Sequence, residues 1–281
     1  MTSISQSRMD TLVTTDWLSQ HLNDPDLVVL DCTVIVKPSG DDGFQLVSGR
    51  ANYDAGHIPS AGFADLLGDL SDRDSSFWVP MPTPEQFCSA MGTLGVGDDS
   101  RVVLYDGNHS MWAARVWWML RWVGFDRAAL LDGGLKVWTA EGRPLSTEPS
   151  SRPAKRLTPA PRAELIADRD EVFAAIDDDA VCVIDTLSAA SYRAQHIPGS
   201  SNIDASHLLD ESGRYRPHDE LVAMHSGDRN ARTITYCGGG VAASSNAFIM
   251  TRLGFTNVAV YAASMQEWAA DPANPLVVET P

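Results

Sequence analysis

The run Cys237-Gly238-Gly239-Gly240-Val241-Ala242-Ala243 puts a thiol between a β-rich stretch, 232–236 (RTITY), and an alanine-rich stretch closing on 248–253 (FIMTRL). This reads as strand, tight loop, helix. Glycine lacks a Cβ and tolerates positive φ, so successive backbone N–H groups can turn inward. A nest of such donors, backed by a helix N-terminus, stabilises an anion. Here the anion is the thiolate of Cys237, or a persulfide formed on it. Helix N-termini favour the thiolate, and the thiolate is the nucleophile. The bland alternative is a buried thiol followed by a plain glycine turn.

The elements that hold this loop recur along the chain. The N-terminal half carries 27–31 (LVVLD), 53–59 (YDAGHIP), 101–107 (RVVLYDG), Gly124-Phe125, Trp138 and Pro144-Leu145. The C-terminal half carries, in the same order, 181–185 (VCVID), 192–198 (YRAQHIP), 232–238 (RTITYCG), Gly254-Phe255, Trp268 and Pro275-Leu276. A unit this long is a duplicated domain rather than a solenoid repeat. The duplication supplies an internal control: Asp106 stands where Cys237 stands, followed by Gly107-Asn108-His109-Ser110. One half is therefore expected to be catalytic and the other not.

Within each half, β-rich runs (27–31, 101–105, 128–131; 181–185, 232–236, 257–261) alternate with helix-like stretches such as 113–123 and 242–253. That alternation predicts α/β architecture, each half a mainly parallel sheet flanked by helices. The proline-rich segment from Gly142 to Pro161 reads as an interdomain linker. The expected division is a non-catalytic domain over 1–146, a linker over 147–163 and a catalytic domain over 164–281. Catalytic groups of such folds gather at the C-terminal ends of strands, here near the cleft between halves.

Composition narrows the function. The 281 residues include 37 acidic and 21 basic side chains, a net charge of −16, which disfavours nucleic acid and anionic membrane surfaces as partners. No apolar run approaches the ~20 residues of a membrane span, and the first residues lack the apolar core of a signal peptide. A cytoplasmic protein is expected. None of the four cysteines forms a CxxC pair. Cys32 and Cys182 are expected to be buried strand residues, and Cys88 to face the core from a helix. The scattered histidines show no metal-ligand spacing, so no metal site is expected.

Several other residues have competing readings. Arg115 and Trp117-Trp118 lie on an apolar helix, the tryptophans as core and Arg115 in a buried or interface ion pair. Phe77-Trp78 either lines the cleft or packs at the surface. Arg214, beside Tyr215, and Arg50 are candidate sources of positive potential for an anionic substrate, or else solvated.

Taken together, these motifs resemble the tandem-domain rhodanese family of sulfurtransferases, which includes thiosulfate and 3-mercaptopyruvate sulfurtransferases. The resemblance covers nearly the whole chain. It is carried by His57-Ile58-Pro59, His196-Ile197-Pro198-Gly199, 113–118 (AARVWW), 131–135 (LDGGL) with Trp138, the Cys237 loop, and Glu267-Trp268. It implies two tandem rhodanese-like domains and double displacement: Cys237 takes a sulfane sulfur from a small anionic donor and passes it to a thiol, thioredoxin or cyanide. It also implies that no cofactor is needed and that N–H groups from Gly238 through Gly239, Gly240, Val241 and Ala242 to Ala243 cradle the sulfur. In this family the inactive half caps the site, which makes His57 a candidate cleft residue; the alternative is a histidine pinning its own loop.

The chain departs from the family at substrate positions. Thiosulfate-preferring members carry basic residues after the cysteine, where this chain has glycines. Mercaptopyruvate-preferring members read Cys-Gly-Ser/Thr-Gly-Val-Thr, and here Gly239 and Ala242 replace the hydroxyl residues. The family's substrate arginine before the aromatic residue is Ser191, leaving Arg193 as a candidate substitute. The Asp-Gly-Ser-Trp run near the C-terminus appears as 262–265 (AASM). The Cys-Gly start leans toward 3-mercaptopyruvate. A phosphatase or arsenate reductase would need an arginine at position 243, where Ala243 stands. A non-catalytic binding module remains the other alternative.

Overall fold

The computed structural model describes residues 9–40, 43–107, 109–150 and 152–278. Asn108 and the first eight residues, on which two of the expectations above rest, lie outside them. The N-terminal half runs β1 (Leu12–Val13), α1 (Thr15–His21), β2 (Leu27–Asp31), β3 (Val34–Ser39), β4 (Gly43–Ser48), α2 (Arg50–Ala55), β5 (Gly62–Phe63), α3 (Pro84–Thr93), β6 (Arg101–Tyr105), α4 (Met111–Trp122), β7 (Ala128–Leu131) and α5 (Gly134–Ala140). The C-terminal half runs β8 (Ile166–Ala167), α6 (Arg169–Ala175), β9 (Val181–Asp185), α7 (Ala189–Ala194), β10 (Ser201–Asn202), α8 (His218–Met224), β11 (Arg232–Tyr236), α9 (Val241–Arg252), β12 (Val258–Tyr261) and α10 (Ser264–Trp268).

Each half folds around a five-stranded parallel sheet, and the two strand orders are the same: β1-β7-β6-β2-β5 and β8-β12-β11-β9-β10. The central strands are apolar between their ends, where Asp31 closes β2 and Arg101 opens β6, because both sheet faces are covered. Several helices begin where the sequence offers a cap. Thr14, Thr83 and Asp168 accept the N–H of Trp17, Gln86 and Glu171, and Pro84 occupies the first turn of α3.

The β3–β4 hairpin is an antiparallel insertion found in the N-terminal half alone among the described residues. Cys182 corrects the expectation of burial: it is exposed, whereas Cys32 and Cys88 are buried. β10 pairs only with Ile184 and Asp185, so the first residues of β9 form a sheet edge that leaves Cys182 open.

The halves meet through α4 and α9. Nine residues of each are buried, the polar Arg115 of α4 and Ser244, Ser245 and Asn246 of α9 among them. Trp117 and Phe248 pack in a T shape with ring centroids 4.9 Å apart, and the Trp118 indole donates across the interface to the Leu165 carbonyl at 3.1 Å. α9 begins immediately after the Cys237 loop, so this packing fixes the site against the other half.

Candidate active site

Cys237 lies at the C-terminal end of β11 and is 2% exposed. Its backbone is held from the first turn of α10. The Cys237 N–H donates to Ser264 Oγ at 3.1 Å, and the Ser264 hydroxyl donates to the Tyr261 carbonyl at 2.7 Å. The N–H groups of Met265 and Gln266 donate to the Cys237 and Gly238 carbonyls, both at 3.0 Å. With the Cys237 and Gly238 carbonyls engaged on this side, the loop brings the Gly240 N–H onto the sulfur.

Gly240 is the pivot. It caps α9 with φ 78°, a left-handed conformation that favours glycine. A Cβ there would collide with the Ala262 carbonyl and lie 2.9 Å from an Arg115 guanidinium nitrogen. Its N–H donates to Cys237 Sγ at 3.1 Å. Its carbonyl accepts from the Ser244 hydroxyl at 2.7 Å and from Arg115 Nη1 at 3.5 Å.

The N-terminal half displays an anion in the same cradle. Ser110, left-handed at φ 56°, caps α4 as Gly240 caps α9. The Asp106 carboxylate accepts from the Ser110 N–H at 3.1 Å with one oxygen, and from Trp112 and Ala113 N–H groups at 3.0 Å with the other. Superimposing the caps puts Gly240 in place of Ser110, and Ala242 and Ala243 in place of Trp112 and Ala113. In the C-terminal half the first donor meets Sγ. The next two, the N–H groups of Ala242 and Ala243, are first-turn donors of α9 with no intrahelical partner.

Trp78 forms the other wall. Its N–H donates to Gln266 Oε1 at 2.7 Å, and its ring lies 3.6 Å from the Cβ position of Gly238. The ring is 45% exposed and meets the edge of Phe44 at 4.6 Å, so Trp78 lines the mouth of the cleft. A cavity of about 300 Å³ adjoins it, walled by Phe77, Pro80 and Met81 from one half and Ala262, Ala263 and Gln266 from the other.

The candidate substrate residues sit elsewhere. His57 is fully buried; its ring nitrogens lie 2.7 and 3.0 Å from the Tyr53 and Glu148 carbonyls, and its ring stacks on Tyr53. His196 stacks on Tyr192 in the same manner. The strand-end tyrosines Tyr105 and Tyr236 accept the N–H of the isoleucine after each histidine. A brace present in both halves serves the fold, so His57 pins its loop. Arg50 pairs with Asp54, and Arg214 pairs with Glu141 across the halves at 2.6 Å. Arg193 is exposed on α7 and forms no ion pair among the described residues. Arg115 does not form the ion pair expected of it: its hydrogen bonds go to the carbonyls of Gly240 and Val79.

Sequence reasoning missed Ser264, Gln266 and Ser244. Ser264 sits in the segment marked by its departure from the family run, and Gln266 directly follows it. Ser244 carried a signal in its spacing, one helical turn after Gly240.

The model of the rhodanese-like domain matches residues 14–141 and 168–271. A Pseudomonas aeruginosa protein named "Probable 3-mercaptopyruvate sulfurtransferase" is 33% identical, covering 94% of this chain and 97% of its own. The mitochondrial thiosulfate/3-mercaptopyruvate sulfurtransferase 1 of Arabidopsis thaliana is 31% identical, covering 97% and 79%. The crystal structure of SseA from Escherichia coli superimposes with a TM-score of 0.81 at 30% identity, covering 91% of this chain and 99% of that one.

Proposed function

The chain belongs to the rhodanese family, and from that premise we propose that it is a sulfurtransferase working through a Cys237 persulfide, with 3-mercaptopyruvate as the preferred donor. The observation that carries this reading is the paired cradle: the N–H of Gly240 on Sγ, and the Asp106 carboxylate modelling a bound anion in the sister loop.

The Cys237 thiolate attacks the sulfur of 3-mercaptopyruvate. The new S–S bond forms as the carbon–sulfur bond breaks, and the electron pair leaves on carbon as the enolate of pyruvate. The thiol proton of the donor completes pyruvate. The terminal sulfur of the persulfide carries negative charge, and the N–H groups of Ala242 and Ala243 receive it. A thiol, a thioredoxin-type protein thiol or cyanide then attacks that outer sulfur and releases the Cys237 thiolate. These steps draw on cysteine chemistry and oriented backbone dipoles, with no cofactor. A cytoplasmic setting, reducing enough to keep the thiol free and to supply thiol acceptors, belongs to the same proposal. No helix among the described residues is long and apolar enough to cross a membrane.

The donor preference follows from charge. The arginine that shares the Trp78 cavity, Arg73, is paired with Asp69, and glycines follow the cysteine, so a thiosulfate dianion finds few charge-assisted bonds. Each missing bond is worth about 1.5–3 kcal/mol, or tenfold and more in rate. Cyanide-dependent turnover is expected to show kcat/KM for 3-mercaptopyruvate about tenfold or more above that for thiosulfate, and no turnover in Cys237→Ser. A preference for thiosulfate would overturn the donor assignment. Activity retained in Cys237→Ser would overturn the mechanism.

A further inference from the structure

Arg115 lies in the middle of α4, in the half that lacks the catalytic cysteine, and is fully buried. Buried charges are ordinarily paired, because an isolated ion in the protein interior is costly. Arg115 forms no ion pair with a carboxylate among the described residues. Nη2 donates to the Val79 carbonyl at 3.2 Å, Nη1 donates to the Gly240 carbonyl at 3.5 Å, and Nε has no partner. Both accepting residues hold left-handed backbone, Val79 at φ 45° and Gly240 at φ 78°. For a β-branched residue such as Val79 that conformation is strained. One guanidinium thus ties the cleft-lining loop of the N-terminal half to the cap of α9.

The Gly240 residue links this cation to the sulfur: its N–H is on Sγ while its carbonyl faces Arg115. Burial pushes the guanidinium down to about 10, and Cys237 is the group whose charge opposes that shift. The other titratable groups on elements packed against the loop have partners of their own. Asp185, at the end of β9, accepts the Leu187 N–H at 2.8 Å; Tyr236 accepts the Ile197 N–H; Tyr261 donates to Glu267 of α10 at 2.6 Å. α9 itself carries no charge before Arg252.

We infer that Arg115 is a positioning residue and the counter-cation of the sulfur-transfer site, fixing the Gly240 N–H on the sulfur and holding Cys237 as the anion. The N-terminal half then contributes charge to catalysis as well as a wall. The inference rests on the sulfur-transfer reading of Cys237, but thiol alkylation tests it without any sulfur donor.

The experiment measures the pH dependence of iodoacetamide modification at Cys237, peptide by peptide, in a Cys182→Ser background that removes the exposed competing thiol. Arg115→Gln keeps a donor and loses the charge; Arg115→Lys keeps the charge. The Gln variant is expected to raise the midpoint of Cys237 reactivity by about one pH unit or more, a tenfold loss of thiolate below it. Its kcat is expected to fall more than its KM changes. The Lys variant is expected to restore the midpoint to within about half a unit. A folded Gln variant with an unchanged midpoint would overturn the assignment. Should the Gln variant fail to fold, a Lys variant whose midpoint rises by a full unit overturns it, and one that keeps the wild-type midpoint supports it. A shifted midpoint in a protein that transfers sulfur from neither donor would leave Arg115 as counter-cation and sink the functional reading instead.

Discussion

Ser264 holds φ 54° so that its hydroxyl can take the N–H of Cys237 while its neighbours bind the Cys237 and Gly238 carbonyls. In the sister half Gly134 occupies the matching turn at φ 53°, without strain. The serine therefore accepts backbone strain in exchange for a hydrogen bond at the reactive residue. Ser264→Ala leaves a buried N–H unpaired and is expected to destabilise the protein by about 1–3 kcal/mol, measured by denaturant unfolding, with reduced sulfur transfer. Ser264→Gly relieves the strain yet lacks the acceptor, so its activity should fall alongside that of the alanine variant. The strand–loop–helix around Cys237 was legible in the sequence because a thiol before glycines at a strand end has few structural uses. The charged partners were not. Arg50, Arg193 and Arg214 looked suitable by sign and by loop position, but two of them are committed to Asp54 and Glu141. The sequence marks Arg115 as buried or at the interface, but not that its partners are the Gly240 and Val79 carbonyls rather than a carboxylate.

At the scale of elements, short β-rich runs bounded by turns marked the central strands to within a residue, because strands covered on both faces must be apolar along their length. The β3–β4 hairpin went unread. Its residues are largely exposed and include Pro38, so no buried face imposes an alternation. Cys182 escaped for a related reason: a strand sequence does not say how far its neighbour extends. The α4–α9 interface offers two tests. Trp117→Ala removes the ring packed on Phe248 and is expected to cost about 3–5 kcal/mol, read from unfolding curves. Gly240→Ala forces a Cβ against the Ala262 carbonyl in a left-handed conformation and displaces the donor on Sγ. Loss of a preorganised donor of this kind costs about 10²–10³ in rate. The variant is expected to lose turnover on that scale while keeping its far-UV circular dichroism. A Gly240→Ala enzyme with wild-type kcat would show that the cap does not shape the site.

For the molecule as a whole, duplication followed by divergence leaves a carboxylate in one cradle and a thiol in the other, with the two halves clamped together through α4 and α9. Glu141 takes part in that clamp. It accepts from Thr15, Arg143 and Arg214, and these bonds bring its carboxyl from an ordinary 4.5 down to about 2. A folded-state value below the unfolded one contributes stability that is present above about pH 4.5 and lost as pH falls toward 2. Stability is expected to decline through that window, and Glu141→Gln is expected to flatten the decline; equal slopes in both proteins would show that the clamp is not acid-sensitive.

The most direct test of the account is the intact mass of the protein after brief exposure to 3-mercaptopyruvate without acceptor. The account predicts a gain of one sulfur atom, located on the peptide containing Cys237, absent from Cys237→Ser and discharged by cyanide as an equivalent of thiocyanate. An unmodified Cys237 in a protein that nevertheless turns over the donor would contradict it.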